Sequence, residues 1–210
     1  MLGNLFLLSF FQDCWKWLDR VDTGLFLKIN TQWTSPFLDR VYPWWRDANT
    51  WFPVYLFFIV FALMNFGRKA FLWILFVILT VTLTDQASSN FIKNFVTRPR
   101  PCQDMNLIMN ARLLLDHCPN SFSFPSSHAT NHFGFAMFIF ITLQPVLKKW
   151  GYLFFLWAGT ISYGQVYVGV HYPIDVCFGT LLGCCLGYLT GTLFNKKIGL
   201  PFADFGLQPQ

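Results

Sequence analysis

Stretches free of Asp, Glu, Lys and Arg divide the chain into blocks. Ala48 to Gly67 is the first and ends at Arg68-Lys69. Ala70 to Thr84 is the second, and its helix can continue through Asp85 to Lys93. His117 to Leu147 is the third, closed by Lys148-Lys149. Trp150 to Ile174 is the fourth, and Val176 to Asn195 the fifth, closed by Lys196-Lys197. A helix that crosses the hydrocarbon core of a bilayer takes about 20 mostly apolar residues. The two-residue alternation of a membrane β-strand is absent. The pattern therefore predicts five membrane-crossing helices.

The basic pairs fall after the first, third and fifth of these helices, which places all three on one side. Lys and Arg accumulate in cytoplasmic loops, so that side is expected to be cytoplasmic. The connections 90–126 and 165–171 then face outward.

The first 47 residues read differently. Met1 to Gln12 is apolar but short, and it lacks the basic start and small-residue cleavage site of a removable signal peptide. From Trp15 to Trp45, charged residues alternate with Trp, Leu and Phe, and Pro36, Pro43 and Pro53 punctuate the stretch. Amphipathic, Trp-rich segments of this type lie in the membrane interface; a sixth span is the alternative. The expected architecture is all-α: a polytopic bundle of five to six transmembrane helices with N-terminal interfacial helices. Residues 1–47 form the interfacial segment, 48–197 the core and 198–210 a tail.

Composition sharpens this picture. Hydrophobic residues make up 54% of the chain, aromatics 20% and charged residues 12%, about half the charged fraction of a soluble domain. That much apolar surface is compatible with lipid and not with water. The bilayer is the expected environment, and no nucleic-acid partner is expected; the oligomeric state is open. Of the six cysteines, Cys102 and Cys118 share one outward connection. A disulfide between them would close a loop of about 15 residues, worth about 3 kcal/mol by loop-closure entropy. Cys177, Cys184 and Cys185 read as small packing residues of the last span.

Ionisable groups at membrane depth are costly and mark function. Here they gather at the outward helix ends. Lys93, Arg98 and Arg100 follow the second helix, His128 and His132 begin the third, and His171 and Asp175 begin the fifth. Each suits an anion. Arg forks onto two phosphate oxygens, and Pro125-Ser126-Ser127-His128 reads as a loop entering a helix, whose N–H groups bind phosphate. His171 and Asp175 are four apart and share a helix face, so the carboxylate can hold one imidazole nitrogen and leave the other as nucleophile or base.

These residues resemble the type 2 phosphatidic acid phosphatases, a superfamily that includes the vanadium haloperoxidases. Its signature is Lys-x6-Arg-Pro, Pro-Ser-Gly-His and Ser-Arg-x5-His-x3-Asp. The chain carries Lys93-x6-Arg100-Pro101, then Pro125-Ser126-Ser127-His128, then Gly164-Gln165-x5-His171-x3-Asp175. The resemblance implies a lipid phosphatase that needs no metal or other cofactor. It assigns His171 as nucleophile, Asp175 as its orienting group and His128 as general acid and base. Lys93, Arg100, Ser126 and Ser127 would hold the phosphoryl oxygens.

The departures are Ser127 for Gly, Gly164 for Ser, and Gln165 for an Arg that the family uses on phosphate. Either Gln165 acts there as a neutral donor, with help from Arg98, or activity is weak. Undecaprenyl diphosphate, phosphatidylglycerol phosphate, phosphatidic acid and phosphorylated lipid A are all candidate substrates. Outward access favours the first and last. The alternatives are a lipid-to-lipid phosphotransferase and a non-catalytic lipid-phosphate-binding membrane protein.

Two further patterns remain. Gly179, Gly183, Gly187 and Gly191 recur every four residues, a spacing that lets helices approach closely, and packing within the chain is favoured over dimerisation. The connection from Cys102 to Phe124 is long, with apolar Met105, Leu107, Ile108, Met109 and Leu113 to Leu115. It either covers the site or anchors in the interface. Labelling with a membrane-impermeant thiol reagent checks the topology. Arg112→Cys should react in intact cells and Lys149→Cys should not; the reverse result inverts the orientation.

Overall fold

The computed structural model describes residues 2–202, with side chains from Asp13 onward except Trp15. Met1 and the tail from 203 lie outside the described residues. Helix α1 (Leu2–Leu27) runs into a π-helical turn (Lys28–Gln32) and is followed by α2 (Pro36–Trp45). Pro36 opens α2 at a position where its missing N–H costs nothing, and the Ser35 hydroxyl accepts from the Leu38 N–H at 3.2 Å. Next come α3 (Phe52–Asn65) and α4 (Arg68–Asp85). A π-helical segment (Gln86–Ile92) extends α4 into the short α5 (Lys93–Val96). The bundle is completed by α6 (Ser127–Leu147), α7 (Tyr152–Tyr167) and α8 (Pro173–Lys197).

Four continuous helical stretches are long and apolar enough to cross a membrane: Ala48–Asn65, Arg68–Gln103, Ser127–Tyr167 and Pro173–Lys197. The third contains two antiparallel helices, α6 and α7, which double back at Lys148–Gly151; Phe133 meets Phe155 and Phe140 meets Tyr152 along the pair. The five apolar runs are thus five helices. Their outer faces carry Phe57, Phe71, Leu75, Leu156, Leu181 and Leu189 largely exposed, as expected where lipid is the solvent.

Two boundaries differ from the apolar runs. The third charge-free run starts at His117, while α6 begins at Ser127, beside the His128 expected to begin that helix. Pro119 and Pro125 remove N–H donors and disfavour helix in the residue before them, so 117–126 is a connection. The fourth run stops at Tyr167 rather than Ile174 because Gly169 adopts φ 92°. A Cβ at Gly169 would also sit 2.1 Å from the Arg112 carbonyl oxygen. Pro173 then restarts the chain as α8.

Helices α6 and α8 form the central seam. A Cβ would stand 2.6 Å from the Ser126 oxygen at Gly179, 2.3 Å from the Thr130 oxygen at Gly183 and 2.3 Å from the Gly134 oxygen at Gly187. The glycine repeat therefore packs within the chain. Around the seam lie Phe58, Trp73, Phe135, Phe138, Ile139, Leu143 and Phe194. Buried hydroxyls are partnered: Trp73 Nε1 donates to Thr142 Oγ1 at 2.9 Å, and Thr80 donates to Thr190 at 2.8 Å. Lys69 Nζ reaches the Ile198 oxygen at 3.0 Å, so the first and third basic pairs share one end.

The opposite end holds a second cluster of Phe26, Ile29, Leu107, Val166, Tyr167 and Tyr172. Asn30, fully buried, stitches it together. Its amide donates to the Tyr167 oxygen at 2.8 Å and the Arg112 oxygen at 2.9 Å, and accepts from the Arg112 N–H at 2.6 Å. The N-terminal segment is thus bound to the far end of the bundle. Cys102 and Cys118 are disulfide-bonded there. Within the connection they span, Leu107 is buried while Met105 and Met109 are exposed. Gly183→Ala should lower stability by about 1–3 kcal/mol through overpacking, read as thermal unfolding in detergent. An unchanged midpoint would show that the seam can relax.

Candidate active site

A cavity of about 710 Å³ opens at the end opposite the basic pairs. It is lined by Arg46, Lys93, Arg100, Ser127, His128 and His171 among its polar residues. Lys93 arrives on the π-helical extension of α4. The wider π turn changes which face successive residues present, and Lys93 ends up buried against the cavity. Ser127 and His128 sit in the first turn of α6, where unpaired N–H groups and the helix dipole favour an anion. Ser126 lies just beneath and caps α6 by accepting from the Ala129 N–H at 3.4 Å.

Arg100 is buried and held by Ser121, on the connection that runs from Cys102 to Phe124, and by the residues just before α8. It donates through Nε to the Ser121 oxygen at 2.7 Å and through Nη2 to Ser121 Oγ at 2.9 Å. Through Nη1 it reaches the Val170 oxygen at 2.9 Å and His171 Nε2 at 3.1 Å. His171 Nδ1 faces Asp175 Oδ2 at 3.5 Å. With a proton on Nδ1 directed at that carboxylate, Nε2 keeps its lone pair, which accepts from Arg100 Nη1 at the cavity. Burial pushes the imidazole down to about 3; Asp175 opposes this, and Arg100 and Lys93 reinforce it. The resting ring is therefore neutral, as a nucleophile must be.

Asp175 is fixed by more than its histidine. It accepts from the Tyr172 N–H at 2.8 Å, from the Ser123 hydroxyl, and from Arg98 Nη1 at 2.8 Å. Arg98 also bonds Asp22 at 2.8 Å and Asp19 at 3.3 Å, and lies 3.9 Å over the Tyr172 ring. The sequence reading placed Arg98 on the phosphate. The structure places it instead behind the His171–Asp175 pair, because the left-handed turn at Thr97, φ 48°, redirects the chain, and its charge is spent on three carboxylates.

Gln165 does not reach the cavity either. It is fully buried at the end of α7, with Oε1 accepting from Arg46 Nε at 3.0 Å. Its Nε2 has no partner among the described residues. His132 is occupied structurally, with Nε2 at 3.2 Å from the Tyr55 hydroxyl and Nδ1 at 2.8 Å from the His128 oxygen.

Sequence reasoning missed Arg46, Asp22, Ser121 and Ser123. Arg46 follows two tryptophans and reads as an interfacial anchor; the amide at 165 was the one hint that another cation was needed. A second polar group on the cavity wall was also missed: Asp85 accepts from Ser89 at 3.0 Å and from Asn131 at 3.2 Å.

Residues 70–198 match the model of the PAP2 superfamily, a span that contains all three motifs and more than half the chain. The chain belongs to the PAP2 superfamily. It is 34% identical over 184 residues to a lipid A 4'-phosphatase of Bacteroides thetaiotaomicron, covering 86% of this chain and 80% of that one. Among solved structures, Aquifex aeolicus LpxE aligns with a TM-score of 0.57 at 27% identity, covering 80% of this chain and 93% of the other. A Bacillus subtilis PAP2-type phosphatidylglycerolphosphate phosphatase gives 0.62 at 24%, covering 86% and 87%, and shows the shared fold. This PAP2 protein is an integral membrane lipid phosphatase.

Removal of Arg98 separates its two readings. Arg98→Ala leaves Asp22 and Asp175 buried without their cation, which typically costs about 3–5 kcal/mol. Thermal unfolding in detergent should fall accordingly. An unchanged midpoint with a raised KM would make Arg98 a phosphate ligand after all.

Proposed function

We propose that this PAP2 phosphatase hydrolyses the phosphate of a lipid on the outward, periplasmic face of a bacterial inner membrane, through a phosphohistidine on His171. The observation that carries the reading is the composition of one cavity. Lys93, Arg100, His128 and His171 stand at one end, and Phe58, Ile59, Ile74, Val77 and Val81 of α3 and α4 form its wall. A phosphate head and a hydrocarbon tail fit that arrangement together.

His171 Nε2 attacks phosphorus while Asp175 stabilises the developing imidazolium through Nδ1–H. The bond from phosphorus to the lipid oxygen breaks, and His128 gives that oxygen its proton. His128 then takes a proton from water. The resulting hydroxide attacks phosphorus, the bond to Nε2 breaks, and inorganic phosphate leaves. Lys93, Arg100 and the α6 N–H groups at Ser127 and His128 stabilise the equatorial charge, the contribution expected of preorganised donors.

Two features support the outward face. The basic pairs lie at the end remote from the cavity, and the Cys102–Cys118 disulfide suits an oxidising compartment. The relative named lipid A 4'-phosphatase makes phosphorylated lipid A the first substrate to test, with undecaprenyl diphosphate, phosphatidylglycerol phosphate and phosphatidic acid beside it. Purified protein in detergent should release inorganic phosphate fastest from lipid A, with the lipid losing its 4'-phosphate. His128→Ala should slow release by about 10²- to 10⁴-fold and His171→Ala should abolish it. Release by His171→Ala at the parent rate would remove the mechanism. Appearance of phosphate only on a second added lipid would make the enzyme a phosphotransferase.

A further inference from the structure

Resting on that phosphatase reading, we infer that Arg46 is a phosphate-binding residue of the site, supplied by α2 in place of the cation missing at position 165. Arg46 closes α2 as its C-terminal cap residue and lines the same cavity as Lys93, Arg100, His128 and His171. Its Nε donates to Gln165 Oε1 at 3.0 Å. Both terminal nitrogens are without a hydrogen-bond partner among the described residues, and no carboxylate there pairs with it.

That pattern distinguishes it from its neighbours. Arg98 is neutralised by Asp19, Asp22 and Asp175, and Arg112 by Asp39 at 2.6 Å. Arg46, Lys93 and Arg100 have no such partner among the described residues, yet all three face one cavity. Partly buried cations that no carboxylate contacts repel one another and pay for desolvation, and Asp85, the carboxylate on the same cavity wall, bonds Ser89 and Asn131 instead. A bound phosphate dianion reverses both costs, and a guanidinium with two free Nη groups is the fork that phosphate oxygens match.

The local packing explains how the residue is delivered. A Cβ on Gly164 would stand 2.8 Å from Tyr42 Cδ1 and 3.4 Å from Arg46 Cβ, so the bare α-carbon at 164 is what lets α2 lie against α7. Tyr42 stacks near Tyr167 with centroids 4.8 Å apart, and Trp45 Nε1 donates to Thr160 Oγ1 at 3.0 Å, fixing the helix end. Gln165 then orients the guanidinium with a neutral acceptor. An arginine at 165 would set two guanidinium groups against each other. The two departures from the motif thus have one cause: residue 164 makes room for α2 and residue 165 accepts the arginine it carries.

The test is a charge-relocation cycle on the full-length protein in detergent. The readouts are kcat/KM on lipid A, inhibition by inorganic phosphate, and thermal stabilisation by inorganic phosphate. Arg46→Ala should lower kcat/KM about 10- to 100-fold, as for loss of a charged hydrogen bond, and weaken phosphate inhibition and stabilisation. Arg46→Lys should fall between. Gln165→Arg alone should give no gain, whereas in the Arg46→Ala background it should restore much of the loss, a coupling that independent sites do not show.

Parent-like kcat/KM and phosphate inhibition in Arg46→Ala overturn the inference, as does equal benefit from Gln165→Arg in both backgrounds. If Arg46→Ala does not fold, Arg46→Gln, which keeps a donor towards Gln165 without the charge, takes its place under the same criteria. A parent that releases no phosphate from any lipid removes the phosphatase reading. Phosphate stabilisation then still decides the residue: lost in Arg46→Ala it supports the inference, and unchanged it sinks it.

Discussion

Helices α6 and α8 can approach as closely as they do because α8 presents bare glycine to the α6 backbone at 179, 183 and 187, where an added Cβ would lie 2.3–2.6 Å from a carbonyl oxygen. In a bilayer there is no hydrophobic drive between helices, so contact of this kind supplies the association. The seam also sets the chemistry. The Ser126 N–H donates to the Asp175 oxygen at 3.0 Å, which locks the first turn of α6 to the first turn of α8. His128 on one helix and His171 beside the other are brought to one cavity by that registration.

The electrostatics divide into two layers. Behind His171, three carboxylates gather on one guanidinium: Asp175, Asp22 and Asp19 share Arg98, and Ser123 and the Tyr172 N–H complete Asp175. In front of it, Arg46, Lys93 and Arg100 line the cavity with no salt-bridge partner among the described residues, Asp85 being the carboxylate on the same wall. The first layer fixes a neutral imidazole with a defined tautomer, and the second gathers the cations that the proposed mechanism uses on phosphate. Holding these apart needs the N-terminal segment, since Asp22 and Arg46 come from α1 and α2. Asp22 also accepts from the Ile174 N–H at 2.9 Å, so α1 braces the start of α8.

Much of this was legible in the sequence. The charge-free runs gave the five helices, and the basic pairs gave the shared end, because both depend on composition over many residues. The order of Lys93, Arg100, His128, His171 and Asp175 pointed to one site, since membrane depth makes each ionisable residue expensive. What could not be read were properties of single conformations. Nothing local marks Thr97 for the left-handed turn that sends Arg98 to Asp175. The burial of Gln165 behind Arg46 depends on α2 docking on Gly164, a contact between positions more than 100 residues apart. Pro119 and Pro125 were visible signals that 117–126 is not helical, in keeping with the connection expected over 90–126.

The central claim is that His171 becomes covalently phosphorylated. Rapid alkaline quenching of the purified phosphatase during turnover of a phosphorylated lipid, followed by mass spectrometry of the peptide containing residues 165–175, reads this directly. A phosphoryl group on His171 that forms within the first turnover and disappears when substrate is exhausted is the expected result. Phosphate release with that peptide unmodified throughout, under conditions that preserve a phosphohistidine standard, would contradict the account.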